Sequence, residues 1–312
     1  MAKIALKVDI DTLRGTQEGA PNLARALERF GLKATFLFSL GPDHTGWALK
    51  RVFRPGFLKK VSRTSVVEHY GIKTLLYGVL LPGPDIGKQA AAEMRAIDQA
   101  GHEAGIHAWD HVAWHDQVRH QNPGWTRAMM QKSWDRFLEV FGHPPKTSGA
   151  AGWQMNETAL EQLDQWGIQY SSDGRAEPNL IPYRLALPSG KAKHVQYPTT
   201  LPTLDELIGV DDADEFAAVD KLLAITQSNP NDQVFTLHAE LEGQKLLPAF
   251  EKLIMGWLKQ GHDLVTMGKL HESWEATKQL DKIAVLPLSW GEIPNRSGDL
   301  IFRTTYTNRH NN

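Results

Sequence analysis

The chain has 312 residues, 41% hydrophobic and 22% charged, with a net charge of −2. That composition supports a large apolar core and excludes global disorder, and the near-neutral balance argues against a general nucleic-acid binder. There is no cysteine, which excludes disulfides, thiolate-held zinc and thiol catalysis together.

The opening segment, MAKIALKVDID, places Lys3, Lys7 and Asp9 within an apolar alternation. It lacks an apolar leader run, so no signal peptide is expected, and 3–11 reads as a first strand. Further strands are predicted over 34–40, 102–108, 146–152, 168–173, 194–200, 233–240 and 262–267. Helical patterns lie between them at 21–31, 86–101, 125–142, 156–167, 214–227 and 248–261, several stopped by glycine. The longest apolar run, 75–81, is broken by Gly78 and falls far short of the roughly 20 residues of a transmembrane helix. Regular strand–helix alternation predicts βα units around a parallel sheet. With no long polar linker, the chain reads as a single α/β domain over 1–312, a distorted (β/α) barrel of seven to eight strands, closed or nearly so.

Residues 47–83 interrupt this rhythm. They carry Lys50, Arg51, Arg54, Lys59, Lys60, Arg63 and Lys73 against one acid, Glu68, interleaved with Trp47, Phe53, Phe57 and Leu58. A basic amphipathic insertion of this kind suits a membrane surface, with Phe53, Phe57, Lys59, Lys60 and Arg63 as membrane-facing candidates; the competing reading is a solvated cover over the barrel.

Four groups of residues carry candidate chemistry. Asp9 and Asp11 share a strand face with Ala5 and Lys7, opposite Ile4, Leu6, Val8 and Ile10, at the C-terminal end of a first barrel strand, where such folds keep their sites. His107 and His111 stand at i and i+4, a spacing that brings two imidazoles onto one helical face to grip a metal. His115 continues the spacing, so two or three histidines are available, with Asp11 as a further ligand. His238 ends an apolar strand and can serve as a general acid, with Asp173 as an orienting carboxylate. Glu240, two residues on, is a candidate sugar contact or a solvated strand-end acid.

The order Asp-x-Asp, His-x3-His, Asp and a late His on successive strand ends resembles the polysaccharide deacetylase family, the NodB-homology group. The resemblance implies a catalytic base at Asp9 and metal ligands at Asp11, His107 and His111. It also implies a general acid at His238, tuned by Asp173. Two departures stand out. Ile10 separates aspartates that are usually adjacent, and the fourth strand, Ser148-Gly-Ala-Ala-Gly-Trp153, lacks the arginine that usually holds the base. Lys7, Arg14 and Arg175 are the candidates to replace it, and Arg14, Arg175 and Trp153 are also candidate substrate contacts.

The blocks VDIDTLRGTQEG, HAWDHVAWH, SGAAGW, SSDGR, LPTLDELIG and TLHAELEG are similar to deformylases within this family that act on a formamido sugar carried by undecaprenyl phosphate. This implies amide hydrolysis in lipid A modification, hence resistance to polymyxin and cationic peptides. It implies one divalent ion (zinc, manganese, cobalt or nickel) and a peripheral enzyme at the cytoplasmic face of the bacterial inner membrane, with anionic lipid as its surface and no obligate protein partner. The competing expectations are a deacetylase of another amino sugar or glycan, and an inactive carbohydrate-binding relative, which would have lost Asp9 or His238.

Overall fold

The computed structural model describes residues 2–48, 71–177, 181–296 and 298–303. Phe53, Phe57, Lys59, Lys60 and Arg63 lie outside these residues.

The main sheet is built on β1, Lys3–Ile10, whose alternation buries both faces. Ile4, Leu6, Val8 and Ile10 pack outward into the largest core cluster, with Leu23 and Leu27 of α1 (Ala20–Arg29) and Leu253 and Ile254 of α7 (Leu247–Gln260). Ala5, Lys7 and Asp9 face the opposite way, where only small or paired polar groups can be accommodated. Truncating a core leucine such as Leu27 to Ala would cost about 2–5 kcal/mol.

The strands that follow are β2 (Thr35–Ser39), β3 (Glu103–Ala108), β4 (Thr147–Ser148), β5 (Tyr170–Ser171), β6 (Val195–Gln196), β7 (Gln233–His238) and β8 (Asp263–Val265). Among the described residues seven parallel strands run in the order β7-β1-β2-β3-β4-β5-β6, and β8 pairs with the first residues of β1. The sheet is an incomplete barrel. Its open side is drawn together by the segment after β6, where Thr200 N donates to Val234 O at 3.0 Å.

The helices follow the predicted pattern, with local reasons for their ends. Asp110, Asn122, Asn156 and Asp214 cap α3 (His111–Gln117), α4 (Pro123–Phe141), α5 (Glu157–Trp166) and α6 (Glu215–Gln227) by accepting from backbone amides. The expected helix over 86–101 is instead two, Ile86–Gln89 and α2 (Ala91–Gln99), broken at Ala90. Its first turn is tied to the end of β2, Ile86 N to Gly41 O and Gly87 N to Leu40 O, and cannot stay collinear with the rest. The predicted strand over 146–152 holds only two strand residues, because a 3-10 turn, Ala151–Trp153, follows at once. Helix α8 (Met267–Ala276) and two small three-stranded sheets, formed by 184–187, 190–191 and 285–287 and by 175–176, 290–291 and 300–303, were not expected. No helix among the described residues is long and apolar enough to cross a membrane.

Candidate active site

The C-terminal ends of β1, β3 and β7 converge. Asp9 and His238 are direct partners across the β1–β7 ladder, so their side chains emerge side by side on the inner face. Ile10 points outward into the core, which leaves Asp11 one step beyond Asp9 on the same side.

His107 lies within β3 and His111 opens α3, so the pair is not carried on one helical face as the spacing alone suggested. The turn between strand and helix brings the rings together, stacked at 5.4 Å. Asp11 Oδ1 stands 3.3 Å from His107 Nε2 and 3.4 Å from His111 Nε2, without a well-formed hydrogen bond to either. Ligand atoms of Asp11, His107 and His111 all lie within 4.8 Å of one another, and His115 is not part of this group.

His107 Nδ1 donates to Gly149 O at 2.7 Å. A carbonyl only accepts, so the neutral ring carries its lone pair on Nε2, aimed at Asp11. Two acceptors facing each other at this distance call for a cation between them, and the donor set suits a divalent ion. The carboxylates favour positive charge at this place, a proton on the ring or a metal ion instead of it. Burial would raise the Asp11 carboxyl, but His111 and His107 hold it well below the usual carboxylate range. Burial would lower His107, and Asp9 and Asp11 outweigh it and raise the imidazole. Asp110 secures the helix start: one carboxylate oxygen accepts from Ala113 N at 3.0 Å and the other pairs with His44 Nδ1 at 2.6 Å.

Several expected contacts are replaced by others. Asp173 does not pair with His238. Its Oδ2 accepts from Ser171 Oγ at 2.7 Å and Gln196 Nε2 at 2.8 Å, because both residues lie on strands adjacent to its own loop. His238 Nδ1 has no hydrogen-bond partner. Arg175 forks onto Glu206 at 2.7 and 3.1 Å and donates to Leu201 O, which turns it away from Asp9. Arg14 pairs with Glu18 at 2.9 Å. Trp153 is buried, with Arg175 and Arg296 over its ring and Nε1 donating to Thr199 Oγ1.

Glu240 is not a solvated strand-end acid. It is 1% exposed, and its Oε1 accepts from Asp11 N, Thr12 N and Thr12 Oγ1 at 2.8–3.0 Å. It clamps the chain that presents Asp11. Gly15 is required for this approach, since a Cβ there would stand 1.9 Å from Glu240 Oε1. Burial, then the neighbouring Asp11 charge, pushes Glu240 well above its ordinary value.

Glu242 was missed by sequence reasoning. Its Oε2 accepts from His238 N at 2.7 Å, which fixes the end of β7. Burial raises its carboxyl to about 8, the His238 amide opposes that rise, and Asp205 adds to it. The available signal was an acid four residues beyond a strand-end histidine and flanked by Leu241, a pattern of burial rather than solvation.

A parallel α/β sheet carrying an Asp–His–His cluster beside a second Asp–His pair at its strand ends defines a hydrolase acting on an amide. The chain belongs to the polysaccharide deacetylase family, whose sequence pattern matches residues 2–171. A protein of Shewanella sediminis, named a probable 4-deoxy-4-formamido-L-arabinose-phosphoundecaprenol deformylase, ArnD, is 35% identical over 99% of this chain and 97% of its own. A namesake from Wigglesworthia glossinidia brevipalpis is 29% identical over 93% of this chain and 98% of its own. Among solved structures, one from Mycobacterium smegmatis assigned as a polysaccharide deacetylase superposes with a TM-score of 0.62 at 18% identity, covering 94% of this chain and 95% of that one.

Proposed function

We propose that this protein hydrolyses the formamide of undecaprenyl phosphate 4-deoxy-4-formamido-L-arabinose to the free amine and formate, as a step in lipid A modification that confers polymyxin resistance. The observation that carries the chemistry is the placement of Asp9 and His238 side by side next to the Asp11–His107–His111 cluster. The names of the full-length relatives support the substrate.

Asp11, His107 and His111 hold one divalent ion in this reading. Bound there, the ion would supply Lewis-acid polarisation of the amide oxygen and a lowered pKa for a bound water. Asp9 accepts the proton of the attacking water, through the carboxylate oxygen that has no protein donor. A C–O bond forms at the formyl carbon, and His238 donates a proton to the sugar nitrogen as the C–N bond breaks.

The substrate's lipid keeps it in the bilayer, so the single catalytic domain works as a peripheral enzyme at the cytoplasmic face of the inner membrane. Support comes from the insertion's basic apolar composition and from its described flank, which exposes Ile72, Val79, Leu80 and Leu81. The test is mass-spectrometric detection of formate from the lipid-linked formamido sugar presented in anionic or neutral liposomes. Formate release that is faster on anionic vesicles is expected. Acetate release from the N-acetyl analogue with no action on the formamide would instead make this a deacetylase, and equal rates on both vesicles would remove the charged surface.

A further inference from the structure

We infer that Lys7 is the positioning residue of Asp9: a base on β1 is held by a cation from its own strand, two residues earlier. The inference rests on the reading of Asp9 as the base.

Lys7 is fully buried, and its Nζ stands 3.1 Å from Asp9 Oδ2. Burying an ammonium in a barrel interior is costly unless it is paired and hydrogen-bonded. Its partners here are few. Apart from Asp9, the ammonium donates to Ser172 O at 3.4 Å and faces the Trp153 ring at 5.5 Å. Among the described residues Asp9 is its ion-pair partner and no other carboxylate is.

The strand explains the reach. Residues i and i+2 share a face and stand about 6.6 Å apart at a rise of ~3.3 Å each, a span the four-carbon lysine stem can cover. Space explains why the cation comes from β1. The stem runs past Gly149, where a Cβ would stand 3.1 Å from Lys7 Cε and 2.5 Å from Leu37 Cδ1. The stretch Ser148-Gly-Ala-Ala-Gly offers no long side chain of its own, and Lys7 fills that volume.

The consequence lies in the division of labour between the two oxygens of Asp9. Oδ2 is held by Lys7, whereas Oδ1 is buried, has no hydrogen-bond partner and lies 3.9 Å from His107 Nδ1. Fixing one oxygen turns the other toward the site as the proton acceptor. Lys7 itself makes no hydrogen bond or ion pair to the Asp11–His107–His111 cluster or to His238; its direct contact with the site is Asp9, and only its charge is felt at His107.

The experiment uses full-length protein, with formate release from the lipid-linked formamido sugar and bound metal as readouts. Wild-type turnover is measured first, because its absence would refute the deformylase reading and not this one. With an active wild type, Lys7→Met is expected to keep metal content and KM while kcat falls by about 10²-fold, the scale of a misplaced acid–base group. Lys7→Arg, which keeps the cation, should recover part of that loss. In an Asp9→Asn background, Lys7→Met should lower kcat no further, since the two residues act as one unit. If Lys7→Met does not fold, the double variant, which buries no lone charge, reads the same quantity against Asp9→Asn alone. Unchanged kcat in Lys7→Met, loss of metal in proportion to activity, or an additive loss in the double variant would overturn the inference.

Discussion

The two ends of the same strands carry carboxylates of opposite character. At the N-terminal end, Glu103 of β3 is fully satisfied: Oε1 accepts from Tyr170, and Oε2 accepts from Thr35 Oγ1 and from Gly268 N at 3.1 Å. At the C-terminal end, Asp9 Oδ1, Asp173 Oδ1, Glu240 Oε2, Glu242 Oε1 and His238 Nδ1 are all buried without a partner. A native fold rarely leaves such groups unpaired, because each costs free energy. The satisfied cluster ties β2, β3, β5 and α8 together. In the unsatisfied one, Asp9 and His238 sit side by side next to the Asp11–His107–His111 cluster.

Breaking the upper cluster should abolish chemistry with little effect on folding. His107→Ala or His111→Ala is expected to remove both bound metal and activity, while His115→Ala keeps the metal. Asp9→Asn and His238→Ala should keep the metal and lose about 10²–10⁴-fold in turnover. Metal analysis and single-turnover kinetics on the five variants check this; a His115 variant that alone lost the ion would reassign the ligands.

Breaking the lower cluster should do the reverse. Glu103→Ala strands the donors of Thr35, Tyr170 and Gly268, and is expected to cost about 2–4 kcal/mol in denaturant unfolding, with kcat unchanged. A large kcat effect at unchanged stability would erase the contrast between the two ends.

Glu242 gives the smallest and most specific effect. Burial holds its carboxyl at about 8, against an ordinary value of 4.5. The folded chain therefore keeps a proton that the unfolded chain releases, so this group's contribution is fully present below about pH 4.5 and is lost as pH rises through 8. Glu242→Gln should match the wild type near pH 5 and gain stability over it steadily as pH rises toward 8. Parallel stability curves for the two proteins would show that Glu242 does not titrate in that range.

Much of this molecule is legible by eye because the information is local. Short apolar runs specify β1, β2, β3 and β7, and capping residues with apolar periodicity specify the long helices. The strand period alone places Lys7, Asp9 and Asp11 on one face, and strand ends carry His107 and His238. What the sequence left open are choices among partners far apart in the chain. Glu240 meets Asp11 across 229 positions, Arg175 takes Glu206 rather than Asp9, and Asp173 takes Gln196 rather than His238. Short strands such as Arg175–Ala176 and Gly190–Lys191 are too brief to carry a period and exist only through their neighbours. Periodicity is a property of a few consecutive residues, whereas a carboxylate's partner depends on which donors packing brings within about 3 Å, and only the assembled barrel decides that.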